Sequence, residues 1–210
     1  MNAQRATVTE IRGTAAETTT EPQDMPAVYD ARMDPEAKLL CALLWVADPA
    51  GAHIAEIVEF LRPVDFRRPA HARLFTLIAE QVTAGEPIDP TIIAGKCDAA
   101  GAAGRDGWPS GVTPQAFILD IASLETRPSQ ASYLAELVIG ASYRRQFQSM
   151  TTYLTQIGEE ADVDDLFGVM VEQGRRQRAA RARLDTFRRD ILGQGTEPAN
   201  DETTADETTN

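Results

Sequence analysis

Residues 61–71 read Leu-Arg-Pro-Val-Asp-Phe-Arg-Arg-Pro-Ala-His, and residues 85–89 read Gly-Glu-Pro-Ile-Asp, with an apolar helical stretch between them. Pro63 and Pro69 each disfavour helix at the residue before them, because the pyrrolidine ring clashes with a helical predecessor and carries no N–H. Arg62 to Arg68 is therefore expected to be a compact turn that ends one helix and starts the next, with Phe66 as its apolar anchor. Pro63, Asp65, Phe66, Pro69 and His71 in the first motif, and Gly85, Pro87 and Asp89 in the second, are read as structural residues.

Outward from this pair, the helix-start signals take one form, a capping residue followed by proline at the first helical position. Asp34-Pro35-Glu36, Asp89-Pro90 and Thr113-Pro114 all fit, and Arg68-Pro69 fits without the cap. Apolar residues at helical spacing follow each. Leu39, Leu40, Leu43 and Leu44 form one stripe, Ile54, Ile57, Val58 and Leu61 a second, and Leu74, Phe75, Ile78 and Val82 a third. Ile92 and Ile93 mark a short fourth, and Phe117, Ile118, Ile121 and Leu124 a fifth. No run alternates with period two, so the fold class is all-α. The glycines from Gly101 to Gly111 predict a mobile loop.

Beyond Pro128-Ser129 the chain changes character. Tyr133 to Ile157 contains no proline, which predicts a helix of about 25 residues. Its later half places Tyr143, Phe147, Met150, Leu154 and Ile157 at steps of four and three, a coiled-coil seam. Gly158 to Ala161 breaks it, Asp162 can cap the next helix, and Val163, Leu166, Phe167, Met170, Val171 and Gly174 form the facing stripe. The expected organisation is a tail over 1–30, a globular helical bundle over 31–128, an antiparallel hairpin over 129–178, an arginine-rich amphipathic linker-type helix over 179–192, and an acidic tail over 193–210. Both tails are read as disordered from their Thr, Glu, Asp and Asn content.

The chain has 210 residues, 43% of them apolar, and a formal charge of -12. Residues 1–30 hold five acids and two arginines (-3) and residues 193–210 five acids and no base (-5), which leaves -4 for the middle. Within that middle, Arg175 to Arg189 carries seven arginines against Asp185. An acidic body with one basic segment excludes a protein that wraps nucleic acid over its whole surface. Arg175, Arg176, Arg178, Arg181 and Arg183, with Leu184 and Phe187, are the candidate contact residues for an acidic partner or nucleic acid. The competing reading is a solvated continuation of the hairpin, and few aromatic side chains are present there to stack bases.

No catalytic constellation emerges. Gly95-Lys96 is followed by Cys97 and preceded by Pro90 where a phosphate-binding loop needs glycine, so the chain has no P-loop. His53 and Glu56 stand at ligand-like spacing, but a metal site needs further ligands and only His71 remains. Cys41 and Cys97 sit on apolar helical faces and are read as buried thiols. No stretch is long and apolar enough to span a bilayer and Met1 to Thr20 is too polar for a signal peptide, which places the protein in the cytoplasm. Catalytic residues, cofactors and metals are all expected to be absent.

The two motifs and their spacing resemble the N-terminal domain of DnaB-type replicative helicases. The likeness runs from about Asp34 to Leu184. Glu36 and Leu40 match the family's first helix, Ile118-Leu119-Asp120-Ile121 its Tyr-Leu-x-x-Leu helix, Pro128-Ser129 its Pro-Ser turn, Tyr133 to Val138 the next segment, and Arg144-Arg145 its paired arginines. Departures are the Gly101 to Gly111 insertion and Gln130-Ala131 at the start of the hairpin. The resemblance implies a non-catalytic collar whose hairpins pair between subunits and on which the primase docks. The expected function is therefore self-association and docking of a primase or helicase partner in DNA replication, without the motor. Two alternatives stay open: a DNA-binding or regulatory protein acting through Arg175–Arg189, and the collar subunit of a split replicative helicase.

Overall fold

A computed structural model describes residues 29–47 and 54–193 and contains seven α-helices, with no strand among the described residues. Apart from Tyr29, Asp30 and Gly193, the two expected tails lie outside the described residues. The first five helices are α1 (Pro35–Leu44), α2 (Ile54–Phe60), α3 (Pro69–Ala84), α4 (Pro90–Ala99) and α5 (Pro114–Ala122). The cap-and-proline signals place four of these starts correctly. Asp34 accepts from the N–H of Glu36 at 2.9 Å, Asp89 from Thr91 at 2.7 Å, and the Thr113 hydroxyl from Ala116 at 3.2 Å. α3 stops at Gly85, whose φ of +66° lies in the left-handed region open to glycine and whose N–H caps the last turn.

α1 is the centre of the bundle. Leu39, Leu40, Cys41 and Leu43 are completely buried, and the helix packs against α3, α5 and α6. With apolar side chains around most of its circumference, a helix of only ten residues gains its stability from burial, at roughly 1.5–3 kcal/mol per leucine, more than from propensity. Cys41 and Cys97 are both buried and unpaired. The turn between α2 and α3 is a 3-10 segment, Pro63–Asp65, and Phe66 beside it is buried with its ring 4.9 Å from that of Phe75.

The Gly101 to Gly111 segment is built against the bundle instead of standing free. Ala103–Arg105 forms a 3-10 turn against α4, where a Cβ on Gly104 would lie 1.9 Å from the Cys97 carbonyl oxygen. Trp108 donates from Nε1 to the Gly104 carbonyl at 2.9 Å and packs its ring 5.4 Å from Phe117. Glycine count suggested mobility; the close backbone approach and the indole anchor give a fixed path instead.

α6 (Ala131–Glu160) and α7 (Val163–Asp190) form the antiparallel hairpin. Both are longer than the sequence reading gave them. Residues 179–190 continue α7 without a break, so the separate linker-type helix over 179–192 is not seen. The reason is local: Ala179, Ala180 and Ala182 favour helix, while Leu184 and Phe187 are buried in the bundle and hold this stretch down.

Two buried carboxylates fix the hairpin to the bundle. Asp65, fully inaccessible, accepts the Arg183 guanidinium at 2.8 and 2.5 Å, the Ser142 hydroxyl at 2.9 Å and the Arg62 N–H at 2.8 Å. Arg183 reaches further to the Phe60 carbonyl at 2.7 Å, and Arg145 donates to the Asp65 carbonyl. One side chain thus joins the α2–α3 turn to both hairpin helices. Glu36 is the second: it accepts from the Arg67 N–H at 2.7 Å and from His71 Nδ1 at 2.9 Å, with Arg145 at 3.7 Å. Burial pushes both carboxyls up, but Arg183 with the N–H and hydroxyl donors around Asp65, and His71 with the Arg67 N–H around Glu36, hold both below the ordinary carboxylate value.

Asp65→Asn or Arg183→Met is expected to cost about 3–5 kcal/mol in urea unfolding, because either leaves a buried group without its partner. A group whose folded pKa is depressed stabilises the fold above its unfolded value, about 4 for these carboxylates, and that contribution is lost as pH falls through the folded value. Unfolding free energy should therefore be flat near neutrality and drop below about pH 4. The Asp65→Asn chain should start lower and lose less on acidification; equal slopes for the two chains would refute the role given to Asp65.

Candidate interaction surfaces

The hairpin carries the candidate site because its two helices bury little besides each other beyond its root. Among the positions of α7 that lose exposure, Leu166, Val169, Gln173, Gln177, Ala180, Leu184 and Phe187 form one line advancing by three or four residues. Tyr143, Met150, Leu154 and Ile157 are the partly buried counterparts on α6. The seam read from sequence is therefore half right. Phe147, Val163, Phe167 and Met170 lie outside it, exposed by 50%, 83%, 70% and 54%. Val171 and Gly174 are partly buried. The glutamines hid the true register, since a count of apolar residues alone skips Gln173 and Gln177 and shifts the stripe outward.

Val163, Phe167 and Met170 stand one turn apart on α7 and are exposed, as is Phe147 on α6; Tyr153, 41% exposed, instead lines a cleft with Gln173, Arg176 and Gln177. Large apolar side chains are thus left in water along the hairpin, and exposed apolar patches are a general feature of interaction sites. Tyr153 was missed because it falls outside the four-three spacing of the predicted seam. A second exposed set, Leu119, Tyr133 and Leu137, lies on α5 and the first turns of α6.

The arginine-rich stretch divides into two kinds. Arg183 belongs to the Asp65 cluster, and Leu184 and Phe187 are buried, Phe187 with its ring edge-on to Phe60 at 5.3 Å. These three are thus withdrawn from the candidate contact surface, because the α2–α3 turn and α2 already occupy them. Arg175 and Arg176 pair with Glu172 at 3.9 and 3.0 Å, Arg181 with Asp185 at 2.9 Å, Arg188 with Glu136 at 2.7 Å and Arg189 with Asp190 at 3.0 Å. All but the partly buried Arg188–Glu136 pair are exposed and weak enough to exchange partners. Arg178 is exposed.

The motif residues hold the frame. Pro63 and Pro69 start their elements, His71 is buried between Glu36 and the Tyr29 hydroxyl at 3.4 Å, and Pro87 leads into the Asp89 cap. Asp34, Glu36 and His71 present ligand-type atoms within 4.8 Å of one another. Their donors and acceptors are already committed to helix capping and to the Glu36 cluster, and the Arg145 guanidinium beside Glu36 opposes a cation there. His53 lies outside the described residues, so its pairing with Glu56 is not placed. No helix among the described residues is long and apolar enough to cross a membrane.

Replacing Gly104 by alanine tests the fixed path of the 101–111 segment, which sets the approach to α5. The added Cβ would meet the Cys97 carbonyl, so Gly104→Ala should destabilise the chain by about 1–3 kcal/mol while Gly95→Ala, on the exposed side of α4 with nothing within 4 Å, costs less.

The comparisons with known proteins agree with this architecture. Residues 30–150 match the family of the DnaB-like helicase N terminal domain. The replicative DNA helicase DnaB of Mycobacterium leprae is 29% identical over 117 residues, which is 54% of this chain and 18% of that protein. The chain thus spans less than a fifth of that relative's length. The crystal structure of the N-terminal domain of DnaB helicase from Mycobacterium tuberculosis superposes with a TM-score of 0.54 at 24% identity, covering 72% of this chain and 95% of that one, and it shares the fold. With more than half of its residues in the family match, this chain belongs to the DnaB-like helicase N terminal domain family.

Proposed function

We propose that the protein is a non-catalytic, cytoplasmic replication module that self-associates through its helical hairpin and offers the assembled hairpins as a docking surface to a primase or a replicative helicase. The observation that carries this reading is the unpartnered apolar surface of Phe147, Val163, Phe167 and Met170, held at a fixed angle by the Asp65–Arg183 and Glu36–Arg145 contacts. A rigid presentation matters because association is weakened by every degree of freedom it must freeze. Family membership supports a role for such a module in replication. The matched region corresponds to the N-terminal domain of the relatives, and the activity of a whole helicase is not carried over.

Nucleic-acid contact through Arg175–Arg189 is the lesser reading. Arg183 is committed to Asp65, and Arg175, Arg176, Arg181, Arg188 and Arg189 have carboxylates beside them. Affinity for duplex DNA that fell steeply with salt would restore it.

Light scattering after size exclusion tests the main reading. The native chain is expected to form a dimer or larger assembly, and Phe167→Asp with Met170→Asp to shift it to monomer while unfolding stability changes by less than about 0.5 kcal/mol, as surface substitutions do. Leu154→Asp, in the seam, should instead lower stability. A native chain that stays monomeric at high concentration would sink the self-association.

A further inference from the structure

At the root of the hairpin a cleft of about 400 Å³ opens between α6 and α7. Three guanidinium-bearing residues border it, Arg62, Arg176 and Arg183, with the Tyr143 phenol, the Gln146 amide and Ile139 beside them. None of the described residues lining it is acidic, in a chain whose formal charge is -12.

The three arginines are not equally engaged. Arg183 is neutralised by Asp65 from the bundle side. Arg176 meets Glu172 at 3.0 Å in an exposed pair that solvent screens. Arg62 reaches Asp65 through its backbone N–H, which leaves its guanidinium outside that contact. Arg62 and Arg183 also border a second cleft that contains Glu56, Glu59 and Asp190. They therefore separate an acid-lined space from an acid-free one, and an anion is favoured in the latter.

We propose that the acid-free cleft is an oxyanion-binding site in which Arg62 and Arg176 grip a phosphate or carboxylate group, with Tyr143 and Gln146 as neutral donors. The guanidinium fork suits planar and tetrahedral oxyanions alike. The chemistry has two sources. One is a phosphoryl compound in solution. The other is the chain's own segment 194–210, with Glu197, Asp201, Glu202, Asp206 and Glu207, which follows ten residues after Arg183. An extended chain covers roughly 3.3 Å per residue, so Asp201 is within reach of the cleft from the end of α7.

Calorimetric titration of the full chain with pyrophosphate at low ionic strength tests the site. Binding is expected, and R62Q and R176Q, both on exposed residues that leave the Asp65 cluster intact, should each weaken it about tenfold. A second chain carries E197Q, D201N, E202Q, D206N and E207Q. If it binds pyrophosphate more tightly than the native chain, the acidic segment is the resident oxyanion source. Equal affinity for the two chains assigns the site to phosphoryl compounds from solution. Absence of binding to both chains, or binding that R62Q and R176Q leave unchanged, overturns the proposal.

Discussion

A carboxylate removed from water must find donors or give up its charge, and Asp65 finds them on three separate elements. The Arg183 guanidinium comes from α7, the Ser142 hydroxyl from α6 and the Arg62 N–H from its own turn. Satisfying this one side chain forces both hairpin helices to pass the α2–α3 turn at a defined height and angle. Glu36 repeats the logic from α1, drawing in His71 and the Arg67 N–H and lying close to Arg145. Apolar burial supplies the larger energy, but it is indifferent to register; the two carboxylates are not.

Beyond that root the hairpin is a different kind of structure. Its inward line has glutamines at 173 and 177 where a stable coiled coil would have leucines, and large apolar residues stand outside. A seam of this composition gives direction without much depth of core. The consequence is an arm whose geometry is set at its base and whose apolar surface is available along its length. This fits a module that associates, and the family match supports reading it so.

Charge is distributed to the same end. Most arginines of α7 are balanced by acids of the same helix or its neighbour, which keeps the helix soluble without a strong positive field. The acid-free cleft beside Arg62 is an exception, and it lies where the arm joins the body, so that an anion bound there would sit against both.

Helix starts, the all-α class and the buried stripes of α1 to α5 were legible because they depend on neighbours in sequence: a cap, a proline, a period of three or four. Asp65 was legible as a structural residue but not as a hydrogen-bonding centre, since its partners lie as far away as α7; the His71 ring was legible as a hydrogen-bonding group, but its partners Glu36 and Tyr29 were not, being distant in sequence. The 101–111 segment looked loose because glycine content says nothing of a tryptophan folding back onto a carbonyl. On the hairpin, local periodicity located the helices and their turn but misplaced Phe147, Val163, Phe167 and Met170, because a thin seam with polar residues carries a weak apolar signal. What the sequence by itself determined is where four of the bundle helices begin and which bundle face is buried, both matters of local dihedral preference and spacing. Which arginine is structural and which free, and which hairpin face is left to water, only the tertiary structure decided, because a charge or an apolar surface is defined by what approaches it from elsewhere in the chain.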